Sequence, residues 1–130
     1  GPLLPDDEFQ NLSDLIWVAS TVHPMVRQVR APFHFTTGDT APVKADGEAK
    51  IKALLHTLEK RFDTWWYDDY SIVDIYLHWC LATAKTAGFT FDDFPNVSTH
   101  FDRVEALPEY QEALRSEALI DLPPPWLKRN

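Results

Sequence analysis

His23, Arg27 and Arg30 are set four and then three residues apart, so on a helix the three side chains leave from one face. Histidine can hold or release a proton near neutral pH. Arginine stays charged and forks onto carboxylates through parallel N–H bonds. A face that joins them has the makings of a binding surface. The same residues also suit a solvated helix face, with a histidine packed beside Pro24. Trp17, Ser20, Thr21 and Met25 lie close to this face and could line a neighbouring pocket, although core packing explains Trp17 and Met25 equally well. Tyr76 and Trp79 fall in a strongly apolar stretch and read as core aromatics or as cleft residues. Cys80, one position deeper, reads as an inert buried thiol.

Other chemistries find little support. The five histidines form no HxxxH or HExxH pair, and no metal site is expected. Asp68–Asp69 and Asp92–Asp93 are acidic pairs in turn-like surroundings and suit solvated loops better than an acid–base dyad. No glycine-rich phosphate loop is present. A net charge of −8 argues against nucleic acid and anionic lipid as partners. A single cysteine fits a reducing compartment. The sequence holds no run of about 18 apolar residues and no basic-then-apolar leader, so no membrane partner and a cytoplasmic location are expected.

The elements that must position these groups read as helices. The 130 residues suffice for one domain, and 8 Phe, 5 Trp and 4 Tyr can build a core. Segment 6–31 carries two apolar stripes, one through Phe9, Leu12, Ile16, Ala19, His23 and Val26, the other through Leu15, Val18, Val22, Met25 and Val29. Two stripes predict a helix buried on two sides. Pro24 is expected to bend it and Pro32 to follow its end. A loop over 32–41 leads to a second helix, from Pro42 or Asp46 to Phe62, with Ile51, Leu54, Leu55 and Leu58 inward and Lys50, Glu59 and Lys60 outward. Gly47 lowers helicity near its start by roughly 1 kcal/mol.

A third helix opens at "YSIVDIYL". Ser71 stands at the N-cap and Asp74 three residues on, the pattern of a capping box, with Tyr70 and Ile75 at the positions of a hydrophobic staple. The apolar residues from Ile72 to Ala87 cover nearly the whole circumference, which predicts a central helix whose buried end must supply its own caps. Gly88 suits a left-handed stop. Pro95 and Pro108 suit the first turns of two shorter helices, the latter with Tyr110 and Leu114 on one face. The tail 121–130 is proline-rich and extended. The reading is all-α, a bundle of about five helices over residues 3–120.

This pattern resembles the C-terminal helical domain of cytosolic glutathione transferases, bacterial beta-class members most closely. "SIVDIYL" is similar to the family's S/T-I-A-D-x-Y-L. "PNVSTHFDRVEALPEYQEAL" resembles its following P-x-L-x-x-[FWY]-x-x-R-V segment, and "IWVASTVHPMVRQVRAPF" its first helix. The turn "WWYDDYS" lacks the family's usual glycine, Val73 replaces a small alanine, and Leu107 stands where an arginine is common. The likeness spans Leu4 to Ala118 and leaves out the thioredoxin-like N-terminal domain, so it implies an excised helical half, the reading the opening "GPLLP" favours, or a stand-alone helical relative.

The resemblance implies further expectations. His23 would face the inter-domain cleft near the glutathione thiol, with Arg27 and Arg30 on glutathione's carboxylates and Trp17, Ser20, Thr21 and Tyr76 beside the electrophile. The parent protein would be a glutathione transferase acting on hydrophobic electrophiles. Its catalytic Ser, Tyr or Cys would lie outside this chain, and the subunits would pair as a homodimer. This chain alone would be inactive. Loss of the thioredoxin-like domain should expose apolar surface on the first two helices. The alternative is a non-catalytic helical module for protein association.

Overall fold

The computed structural model describes residues 8–62, 64–112 and 115. Helix α1 (Glu8–Trp17) runs through a π-helical turn (Val18–Val22) into α2 (His23–Arg30). A 3-10 turn (Pro32–His34), α3 (Ala41–Arg61), α4 (Ile72–Thr86) and α5 (Pro95–Glu105) follow. No strand occurs among the described residues. Residues 108–112 are again helical, whereas Leu114 and the proline-rich tail lie outside the described residues. No helix among the described residues is long and apolar enough to cross a membrane.

Pro24 does not break the first helical run. The backbone N–H of His23 reaches back five residues to the Val18 carbonyl, which closes the π turn just ahead of the proline. That places Pro24 in the first turn of α2, where its fixed φ is compatible with the helix and the π turn has already interrupted the α-type ladder. The run turns Val18, Val22, Val26 and Val29 fully inward. The other stripe is a correction to the expected two-sided burial. Phe9, Leu12 and Ile16 are 87%, 56% and 56% exposed, because no described element covers that side of α1. The expected exposure thus falls on α1, while α3 carries no large exposed hydrophobic residue.

Helix α3 starts at Ala41, with Pro42 in its first turn. Gly47 explains its own cost in helicity. A Cβ there would sit 2.7 Å from the Gln28 Cβ and 3.1 Å from the Met25 carbonyl oxygen, so α2 and α3 cross at a distance only glycine permits. Glu59, read as part of the wet face of α3, instead accepts the N–H groups of Asn96 at 2.8 Å and Val97 at 3.0 Å. It caps α5 from a neighbouring helix, because the Phe94 side chain at that end makes no cap.

Helix α4 is central, in contact with α1, α2 and α5. At its start, Ser71 Oγ accepts the Val73 N–H at 3.2 Å, and Asp74 Oδ2 accepts the Ser71 N–H at 2.9 Å. Two partners distant in sequence join them. The Trp66 N–H and His100 Nε2 donate to Asp74 Oδ1 at 2.8 and 2.7 Å, tying the 64–70 segment and α5 to one carboxylate. Phe62 stacks on the His100 ring, centroids 4.2 Å apart and nearly parallel. Burial of α4 is not all-round, since Trp79 is 48% exposed. Gly88, at φ 93°, ends the helix in the left-handed region.

His78 lies fully buried between α4 and α5, stacked on Phe101 at 4.1 Å with Tyr110 edge-on at 4.7 Å. Glu105 Oε1 is 3.4 Å from its Nε2, without hydrogen-bond geometry. Burial pushes the imidazole below its ordinary pKa of 6.5. The carboxylates of Glu105 and Asp102 oppose that shift, and the neighbouring His100 adds to it. His78 is therefore neutral in the fold while the unfolded chain takes up a proton. Its contribution is flat above about pH 6.5 and becomes destabilising as the pH falls from there towards the folded-state value. His78→Phe should flatten that acid limb by up to about 1.4 kcal/mol per pH unit. Chemical denaturation at a series of pH values checks this, and parallel limbs for the two proteins would exclude it. Asp14 acts in a lower window, because a depressed carboxyl contributes stability that is lost only below its ordinary value of 3.8.

Candidate functional site

A cleft of about 640 Å³ opens between α2 and α4. His23, Arg27 and Arg30 line one wall, as their spacing requires. Trp79, Thr83 and Thr86 line the other, with His34 at the rim. The wall from α4 is the exposed face of the helix, set at intervals of four and three residues.

His23 is held by side chains across the cleft. Its Nδ1 lies 3.1 Å from the Tyr76 hydroxyl, and the Trp79 ring meets it edge-on at 5.1 Å. Burial, with a small contribution from Cys80, pushes the Tyr76 phenol above its ordinary value, so it stays protonated and able to donate. With the phenol donating, a neutral imidazole carries its proton on Nε2. With the tautomer reversed, Nε2 becomes a free acceptor. In either state the ring is oriented by one partner and keeps one nitrogen for a ligand. An Arg27 guanidinium N–H donates to His34 Nδ1 at 3.1 Å. Arg30 has no hydrogen-bond or ion-pair partner among the described residues.

Other residues singled out from the sequence lie elsewhere. Trp17 packs on Trp66 with ring centroids 5.7 Å apart, and it lines a separate recess of about 260 Å³ with Asp14, Leu58 and Arg61. Ser20 is exposed and donates to the Ile16 carbonyl at 2.7 Å. Thr21 is half-buried and does not line the α2–α4 cleft. In the second recess, Asp14 accepts hydrogen bonds from the Trp66 indole N–H at 3.0 Å and from Tyr67 and Gln10. Burial there raises the Asp14 carboxyl, but the three donors and the Arg61 charge outweigh it and hold the carboxyl below its usual value. Burial and the same carboxylate push the Tyr67 phenol up. Cys80 is buried and its thiol is pushed up to about 12 by burial alone, which suits packing rather than nucleophilic attack. No cluster of metal-ligating side chains occurs among the described residues.

Sequence spacing leaves His34, Thr83 and Thr86 out of the cleft and Trp79 undecided. His34 follows the end of α2, where helical periodicity no longer says what faces what. Trp79 reads from the sequence as core or as cleft, because an aromatic inside an apolar run is usually buried. The signal that separates it is its spacing of four and seven from Thr83 and Thr86, which marks one mixed-polarity face.

This arrangement of helices has known counterparts. A beta-class glutathione S-transferase from Sphingomonas chungbukensis superposes with a TM-score of 0.72 at 24% identity, over 91% of this chain and 60% of that one. A sphingomonad glutathione S-transferase solved in complex with glutathione gives 0.74 at 25% identity, over 90% and 59%. The chain therefore has the fold of the C-terminal helical domain of such transferases and spans about three-fifths of their length. No protein-family model matches the sequence, and no curated protein matches it.

Proposed function

We propose that this chain is the helical half of a glutathione transferase-like protein and that the α2–α4 cleft is one wall of its substrate site. The observation that carries this reading is His23, oriented by Tyr76 in a cleft that also presents Arg27 and Arg30. In this reading an Nε2–H donor beside the glutathione sulfur stabilises the thiolate that attacks a hydrophobic electrophile. A thioredoxin-like domain supplies the main grip on the tripeptide and the catalytic hydroxyl or thiol. The exposed stripe of Phe9, Leu12 and Ile16 is where that domain or a second subunit rests.

The test is glutathione conjugation of a chromogenic electrophile by the protein that includes its thioredoxin-like half. His23→Ala should lower turnover about tenfold or more, and Tyr76→Phe should lower it less, since the imidazole stays in place. Turnover equal to wild type in both would return His23 to a packing role. The exposed α1 stripe would then favour the second reading, a non-catalytic module that associates through that face.

A further inference from the structure

We propose that the arginine end of the cleft is a carboxylate site and that the second substrate is an aromatic or apolar molecule bearing a carboxylate. This rests on reading the cleft as a substrate wall, and it names the class of compound that wall selects.

Charge makes the first part of the case. The chain carries a net charge of −8, yet no residue lining the cleft is acidic. Arg27 and Arg30 are both exposed and neither is neutralised by a carboxylate among the described residues. Arg27 donates to His34 Nδ1, so a neutral His34 carries its remaining proton on Nε2 as another donor. The hydroxyl protons on the opposite wall are already used within α4. Thr83 Oγ1 donates to the Trp79 carbonyl at 2.8 Å, and Thr86 Oγ1 to the Thr83 carbonyl at 2.6 Å. The cleft is thus rich in charged donors, the setting in which a carboxylate binds most strongly.

The apolar surface makes the second part. Trp79 is large and 48% exposed, and the half-buried Ala31 and Ala82 complete a surface on which an aromatic ring can lie. Along α2, Arg27 and Arg30 stand about 6 and about 10 Å from His23 at 1.5 Å per residue. A ligand that reacts beside His23 and is anchored by the arginines needs its carboxylate at about that separation, roughly the span of two or three fused rings.

Glutathione also carries carboxylates, so the experiment must separate the two sources. The 130-residue chain is titrated by calorimetry with 1-naphthoate, with 1-naphthalenemethanol as the uncharged ring, and with glutathione. Naphthoate should bind at least tenfold more tightly than the alcohol, and more weakly as salt is added. The double change Arg27→Ala with Arg30→Ala should abolish that preference with an unchanged circular dichroism spectrum, both side chains being exposed. Trp79→Ala should weaken both aromatic ligands alike. Equal affinity for acid and alcohol, or naphthoate binding untouched by the double change, would overturn the proposal. So would glutathione binding that equals naphthoate and vanishes in the double variant, because the arginines would then serve the tripeptide. None of these outcomes depends on turnover, so failure of the transferase reading shows separately, in the His23 kinetics.

Discussion

Replacing Asp74 by alanine is expected to cost about 3–5 kcal/mol of folding stability, the range for breaking a buried charged group away from its partners. The side chain is fully buried and takes four hydrogen bonds, from the Ser71 N–H and hydroxyl, the Trp66 N–H and His100 Nε2. Alanine would strand two backbone donors and an imidazole N–H in the interior, each at about 1–3 kcal/mol. It would also free the 64–70 segment and α5 from the start of α4. A cap alone is worth about 0.5–2 kcal/mol, so the excess measures the long-range partners. Against a total of about 5–15 kcal/mol for a domain, the variant would sit near the limit of folding. Asp74→Asn keeps the shape and one acceptor oxygen, and should lose less. Urea denaturation of both checks the expectation. A loss below about 1 kcal/mol for alanine would mean that water reaches this end of α4.

That carboxylate also shows what the sequence can and cannot reveal. Ser71 and Asp74 are three residues apart, so their pairing is a local matter and legible as a pattern. Trp66 and His100 arrive from 8 and 26 residues away, and only the packed chain brings them there. The same limit explains Glu59, whose helical position is legible while its role on the N-terminus of α5 is not. Periodicity found two apolar stripes in the first helical run but put Val26 with Phe9, Leu12 and Ile16, whereas beyond the π turn it is buried with Val22 and Val29. It could not say which would be covered, since exposure of Phe9, Leu12 and Ile16 depends on what lies opposite. His23, Arg27 and Arg30 share the cleft because α2 is regular over those residues. Trp17, Ser20 and Thr21 precede Pro24 within or before the π turn, where the wider turn changes the phase and an α-helical projection no longer holds.

The chain of 130 residues on its own is expected to show no transferase activity and to bind glutathione more weakly than about 1 mM. Conjugation needs a thiolate positioned against an electrophile, and most of the gain comes from holding both in register. The described helices offer His23 and two arginines for that task. They offer no strand whose backbone could pair with an extended tripeptide, and the one cysteine is buried with its thiol pushed up to about 12. A carboxylate of glutathione can meet Arg27 and Arg30 as an aromatic acid's can, but the tripeptide has no ring to lay on Trp79, and the charge contact alone is screened by salt. A flexible peptide must also lose conformational freedom to bind, and so little contact cannot offset it. A rigid aromatic acid escapes most of that cost, which is why naphthoate and glutathione should behave so differently on this surface. Calorimetry with glutathione and a chromogenic conjugation assay test the expectation together. Glutathione binding below about 0.1 mM, or turnover above the spontaneous rate, would show that these helices hold a complete site and that His23 acts without a second domain.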